Sequence, residues 1–213
     1  MSFEAAMFPL GSVLLPGTLL PLHIFEDRYR MMISDVLAGD GQFGVAFIAR
    51  GHEVGGGEER TSVGVMATIV EASRFEDGRW AIGALAGRRF RVSDWLADDP
   101  YPRAMIDWWE DLPGEPIPAD AVHRSLDLIN EVSEMAAELG YSSPMIPESL
   151  PSDPVALSYL LTSIAPLGPS DRFDLLCAQS VPQRLVLLEQ RLQDQQILFG
   201  AQLAMEAGEG AGS

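Results

Sequence analysis

The chain has 213 residues with 14 basic and 31 acidic side chains, a formal net charge of −17, and every basic residue is an arginine. Without lysine it holds no P-loop ammonium, Schiff-base amine or Ser-Lys dyad, and its one cysteine, Cys177, allows neither an internal disulfide nor a thiolate metal cage. The charge is wrong for gripping a nucleic-acid backbone, no apolar run approaches the ~20 residues of a membrane span, and no basic n-region opens the chain, so a reducing cytoplasm is expected.

Phe8 to Leu15 reads as a short strand stopped by the Pro16-Gly17 turn signal. Phe25, Tyr29, Met32, Ile33, Val36 and Leu37 then fall on one face at helical period, with Glu26 and Asp27 in the first turn and Gly39 as a left-handed cap. From Phe43 the period becomes two, through Val45 and Phe47. Residues 51–61, with Gly55-Gly56-Gly57, read as a loop. Val63 to Phe75 and Trp80 to Ala86 flank Asp77-Gly78, a hairpin signal. Arg89 to Val92 and Ala104 to Trp109 add strands, which together suggest a small twisted barrel carrying one helix.

Prolines at 113, 116 and 118 mark the boundary between a β-rich part, 1–112, and a helical part, 113–213. The second part begins with a helix ended by Gly140, followed by an extended segment with Pro144, Pro147 and Pro151. Asp153-Pro154 is an N-cap with proline at the first helical position. Another helix starts at Pro169, and Ser180 precedes a long one through about Glu206 striped by Val181, Leu185, Leu188, Leu192, Phe199 and Leu203. The fold class is α+β. Acids outnumber arginines in both parts, 17 to 10 up to Leu112 and 14 to 4 beyond it.

No catalytic constellation emerges. His23 with Glu26 and Asp27 is half of a metal motif without its remaining ligands, His52 lies in the glycine-rich loop, and His123 sits in a first helical turn with no carboxylate cluster. No G-x-S-x-G elbow occurs, and Cys177 beside Leu175 and Leu176 reads as a core thiol. Catalytic residues, metal ligands and cofactors are therefore expected to be none. The unusual feature is apolar surface: Pro16 to Leu22 is a proline-bracketed apolar segment, Phe75 and Trp80 flank a hairpin tip, and Trp108-Trp109 are adjacent. These bury in the core or form a patch for apolar peptide segments.

Phe8 to Met32, FPLGSVLLPGTLLPLHIFEDRYRMM, resembles the opening of the Lon substrate-binding domain, with Pro9, Leu10, Pro16, Pro21, Leu22, Phe25, Glu26, Arg28 and Tyr29 matching residue by residue. Val63-Gly64, Gly87 to Val92, Leu175-Leu176 and Arg184-Leu185 match more loosely, so the resemblance covers about residues 3 to 200. It implies a PUA-like pseudo-barrel followed by a helical bundle, and a stand-alone, non-catalytic module that recognises unfolded or degradation-prone protein segments. Leu19, Leu20, Pro21, Phe75 and Trp80 are the expected contact residues, with loop and hairpin tip forming one exposed patch. Expected partners are unfolded proteins or peptides, with a separate protease or chaperone as collaborator, and neither nucleic acid nor membrane. The rival expectation is a regulatory adaptor or homo-oligomerising module that docks a folded protein through its C-terminal helices.

Overall fold

The computed structural model describes residues 2–50, 59–112, 117–142, 146–147 and 149–210. The glycine-rich loop with His52, and Pro113, Pro116 and Pro144, lie outside them. The chain divides into two units, Met1–Glu110 and Asp111–Ser213. Strands build the first and helices the second, an α+β architecture.

The first unit contains strands β1 (Phe3–Leu10), β2 (Leu19–Ile24), β3 (Gln42–Arg50), β4 (Glu59–Arg74), β5 (Trp80–Trp95) and β6 (Arg103–Trp108), with helix α1 (Asp27–Ala38) between β2 and β3. The sheet order is β2-β5-β4-β3-β1-β6, and β5 also pairs with β6. Five strands therefore close a ring, and β2 is joined to it through β5 alone.

Glycine makes the ring interior possible. A Cβ on Gly44 would lie 2.5 Å from the Met7 sulfur, and one on Gly64 would overlap the Val45 carbonyl and lie 2.6 Å from the Phe90 ring. Met7 and Phe90, both fully buried, occupy the space so released. On the other face of β1 and β3, Phe8 lies 4.5 Å from the Tyr29 ring of α1 and 6.3 Å from Phe43. Expected as half-buried, β3 is thus covered on both faces from Phe43 to Ala46.

Other local differences have plain causes. The first strand runs over 3–10 rather than 8–15 because Phe3 to Ala6 find antiparallel partners on the distant β6. Trp80 to Ala86 and Arg89 to Val92 fuse into one strand because β4 accompanies β5 as far as the Val63–Arg91 pair. In α1, Tyr29, Met32, Ile33 and Val36 are buried, whereas Phe25 and Leu37 at the ends of the stripe are exposed. Gly39 is not left-handed (φ −101°). Gly41 takes that conformation (φ 75°), its N–H donating to the Val36 carbonyl at 3.0 Å. Glu26 precedes α1 without a side-chain cap and instead accepts from Arg28 Nε at 3.1 Å.

The second unit contains α2 (Ala119–Glu138), α3 (Pro154–Ile164), α4 (Pro169–Leu176) and α5 (Val181–Gly210). Asp153 accepts from the Ala156 N–H at 2.8 Å ahead of Pro154, and Gly140 closes α2 at φ 80°. The buried stripe of α5, Val181, Leu185, Leu188, Leu192 and Phe199, packs with Ile129, Val132 and Ala136 of α2 and Leu161 of α3. Cys177 caps the end of α4 and is half-buried.

A buried charged group stands within this apolar bundle. Arg184, with no exposed side-chain surface, donates to the Leu175 carbonyl (3.2 Å), Ser158 Oγ (2.7 Å), Tyr159 Oη (2.9 Å) and Asp111 Oδ1 (2.5 Å), and lies 3.9 Å from the Tyr159 ring centroid. It thereby ties α5 to α3, to the end of α4 and to the start of the unit. A charge so placed is tolerated because its donors are matched, and truncating it removes the ion pair from the Asp111 carboxylate, only 11% exposed. Arg184→Ala should destabilise the protein by about 3–5 kcal/mol in urea unfolding, whereas Arg191→Ala, whose partners are partly solvated, should cost about 1 kcal/mol or less.

A second pair fastens the first unit. Arg60 of β4 grips both carboxylate oxygens of Asp98, at 2.9 and 2.6 Å, and lies over the Trp95 ring. The hydrogen bonds from Arg60 hold the Asp98 carboxyl below its ordinary range. Because the folded-state value is the lower one, this stabilisation is complete above the ordinary carboxylate range and disappears as pH falls through the depressed value. Asp98→Asn should therefore cost up to about 1 kcal/mol near neutrality, after allowing for solvent screening. In denaturant melts at stepped pH, the difference from wild type should vanish in acid.

Candidate functional site

The apolar segment Leu19-Leu20-Pro21 is the start of strand β2, paired antiparallel with β5 as Leu19↔Leu85, Leu20↔Ala84 and Pro21↔Gly83. Strand geometry then sorts the side chains by alternation. Leu20, Leu22 and Ile24 stand on the face of buried Ala84 and Ile82, while Leu19, Pro21 and His23 stand on the outer, exposed face. Proline is accommodated here because β2 has no strand beyond it, and the even-numbered residues make the ladder bonds: the Thr18 carbonyl accepts from Ala86 N–H at 2.9 Å, setting Leu20 and Leu22 as the next bonded positions. The missing N–H of Pro21 would have faced the open edge.

Leu19 and Leu85, directly opposite each other, are 62% and 46% exposed. A register shift between Ile69 and Glu71 on β4 brings Val70, 60% exposed, onto the same face. Its Cγ2 would lie 4.0 Å from a Cβ built on Gly83, with Glu71 Cβ at 3.8 Å. Leu19, Pro21, Leu85 and Val70, with Glu71 directly opposite on β4, thus surround a floor at Gly83 that has no side chain. α1 packs over β1 and β3, whereas Leu19, Leu85 and Val70 on the outer face of β2–β5–β4 are exposed.

Phe75 and Trp80 lie elsewhere. Trp80 pairs with Ile24, five residues along β2 from Leu19 and about 17 Å away, and stands on the opposite face by alternation. It borders a crevice of about 450 Å³ between α1 and the hairpin tip, lined also by Asp27, Arg30, Met31 and Arg74. Arg30 holds the crevice together, donating to the Gly78 carbonyl at 2.9 Å and to Asp27 at 2.8 Å. Gly78 has a φ of 84°, which favours glycine, and its missing side chain leaves room for the Arg30 guanidinium. Arg74 lies 5.6 Å over the Trp80 ring, and Phe75, 45% exposed, sits at the tip with Arg79 over its ring at 5.8 Å. The tip is braced by Asp77, whose carboxyl accepts from the Arg79 N–H and Nε, holding it below its ordinary range.

The expected single patch is therefore split: a trough on the sheet with Leu19 and Pro21, and a crevice bordered by Trp80, with Phe75 at the neighbouring hairpin tip. Leu20 belongs to neither, since it points inward beneath the trough. Sequence reasoning missed Leu85 and Val70. Alternation along Trp80 to Ala86 points to Leu85, but the irregularity that turns Val70 outward has no local signature. His23 lies on the trough face, and Glu26 is engaged by Arg28. Among the described residues no group of three His, Cys, Asp or Glu side chains is placed to hold a metal ion, and no helix is long and apolar enough to cross a membrane.

With this geometry in view, comparisons with known proteins are specific. The family model of the ATP-dependent protease La (LON) substrate-binding domain matches residues 4–194. Lon protease 1 of Herpetosiphon aurantiacus is 26% identical over 201 residues, covering 89% of this chain and 24% of that protein. Lon protease 2 of Myxococcus xanthus is 28% identical over 143 residues, covering 66% of this chain and 17% of that protein. The chain thus spans about a quarter or less of the length of these relatives. Among solved structures, a Lon N-terminal domain protein from Xanthomonas campestris superposes with a TM-score of 0.62 at 26% identity, over 87% of this chain and 96% of that one. The N-terminal domain of a Mycobacterium avium complex Lon protease gives 0.57 at 18% identity, over 90% and 99%, a likeness of fold.

Proposed function

The chain belongs to the Lon substrate-binding-domain family, and on that premise we propose that it recognises unfolded or degradation-prone protein segments in the cytoplasm, by apolar contact and without catalysing their cleavage. The observation that carries the reading is the trough: Leu19 and Leu85 exposed opposite each other, with Val70 and Pro21 around the side-chain-free floor at Gly83. Folded proteins bury such side chains. An unfolded segment brings its own, and mutual burial gains about 25 cal/mol per Å² of apolar surface.

Three half-exposed aliphatic side chains can contribute only a few kcal/mol, about 3 in all, and association carries an entropic cost against it. Affinity is therefore weak and turnover of clients rapid, as suits a module that samples many sequences. The shallow, flat floor reads hydrophobicity rather than shape. Trp80 provides a second contact at the crevice, where Met31 supplies apolar surface and Asp27, Arg30 and Arg74 supply charges of both signs, and Phe75 adds exposed apolar surface at the hairpin tip. Leu20 supports the trough from below by packing toward the sheet interior. The −17 net charge disfavours acidic clients. The absence of lysine from this chain supports the non-catalytic reading, because neither a P-loop nor a Ser-Lys dyad can be assembled from it.

Binding of a reduced, permanently unfolded model protein to the wild type and to Leu85→Asp tests the assignment. A buried, unpaired carboxylate in the trough should weaken binding about fivefold or more, with Leu19→Asp behaving alike and Trp80→Ala weakening it less. Absence of binding by the wild type, or equal binding by wild type and both aspartate variants, would sink the proposal.

A further inference from the structure

Strand β2 ends the sheet order, with β5 along one edge and no strand along the other. Leu20, Leu22 and Ile24 direct their backbone groups into the β5 ladder, so those of Leu19, Pro21 and His23 point the other way. On this free edge Leu19 and His23 each present an N–H and a carbonyl, and Pro21 a carbonyl alone. Among the described residues nothing pairs with them. No charged side chain lies between Leu19 and Ile24. Beside the Leu22–Ile24 end is a cavity of about 100 Å³, lined by Phe8, Pro9 and Leu10 of β1, by residues 22–26 and by Tyr29. It has the room of about three waters at ~30 Å³ each, enough for one small aliphatic side chain.

The edge itself indicates what covers it. Its donors and acceptors recur at every second residue, about 6.8 Å apart, and the complement of that pattern is another extended backbone. Folded proteins pair or shield theirs, whereas an unfolded segment brings free N–H and C=O groups. A strand laid here would alternate its side chains. One set would lie beside Leu19 and Pro21 on the trough face, the other beside Leu22 and Ile24, where the cavity lies. The missing Pro21 N–H takes one bond from the middle of the ladder, which keeps such pairing short and reversible. A second copy brings the same proline gap on its own edge together with a net charge of −17, and is the poorer occupant.

We propose that, given the recognition role above, client segments bind by strand addition to the free edge of β2, as short, extended, aliphatic stretches without proline. The probe is an acetylated, amidated peptide with a central Val-Thr-Val-Thr-Val between Gly-Ser flanks. It is compared with the same peptide N-methylated at its central amides, which keeps the side chains and loses the donors. The unmethylated peptide should bind about tenfold more tightly or better. At saturation, amide hydrogen exchange at Leu19 and His23, fast in the free protein, should slow about tenfold or more, while Leu20 and Leu22 stay slow throughout. Equal binding of both peptides, with Leu19 and His23 unchanged, would overturn strand addition and leave apolar contact at the trough intact. Exchange at Leu19 and His23 already slow in the free protein would overturn it too, because a second copy would then hold the edge. Binding by the unfolded model protein but by neither peptide likewise removes the edge as the site, and binding by none of the three removes the recognition role as well.

Discussion

Strand β5 is shared by three neighbours, and the first unit is organised around that fact. One of its edges carries β4 from Trp80 to Arg91, while the other is divided, with β2 along Trp80 to Leu85 and β6 along Phe90 to Trp95. The β6 pairing closes the ring. The β2 pairing adds a strand outside it, and the side chains on the outer face of that addition, Leu19, Pro21 and His23, are exposed. Gly83 and Leu85 are thus held on that face by the same hydrogen-bond ladder that closes the interior. The exposed trough follows from the topology and is not a local packing failure.

Arginine takes the place of lysine throughout this chain, and the structure uses its forked geometry for fastening. Arg30 ties helix α1 to the hairpin turn through the Gly78 carbonyl, and Arg60 joins β4 to the segment after β5 through Asp98. Arg172 donates to the carbonyls of Ala165 and Leu167 just beyond α3, and Arg184 serves four partners inside the bundle. A planar group with five donors can satisfy several acceptors at once from a fixed position, which a lysine ammonium does less well. In these four cases arginine fastens one element to another.

Much of this was legible in the amino-acid order. Asp153-Pro154, Gly140 and Ser180 announce helix boundaries through capping chemistry that is local. The Asp77-Gly78 turn likewise needs only its own residues. Where long-range pairing decides, local reading falls short: Phe3 to Ala6 form a strand because β6 is beside them, and β3 is buried on both faces because α1 lies over one. The candidate site divides the same way. Leu19 and Pro21 stand out as apolar residues between turn signals, but their separation from Trp80 depends on the β2–β5 register, which pairs Trp80 with Ile24. Val70 depends on a register irregularity, and the Arg184 cluster on four partners from distant parts of the sequence.

The central claim is that unfolded segments are held on the outer face of β2–β5–β4. Methyl-resolved NMR of the full chain, titrated with a reduced, permanently unfolded model protein, reports on it most directly. The account predicts that the methyl signals of Leu19, Leu85 and Val70 shift together and saturate with one affinity, while those of Leu188 and Leu192 in the helical core stay fixed. Shifts confined to the helical unit, or no shift at Leu19, Leu85 and Val70 while binding is under way, would contradict it.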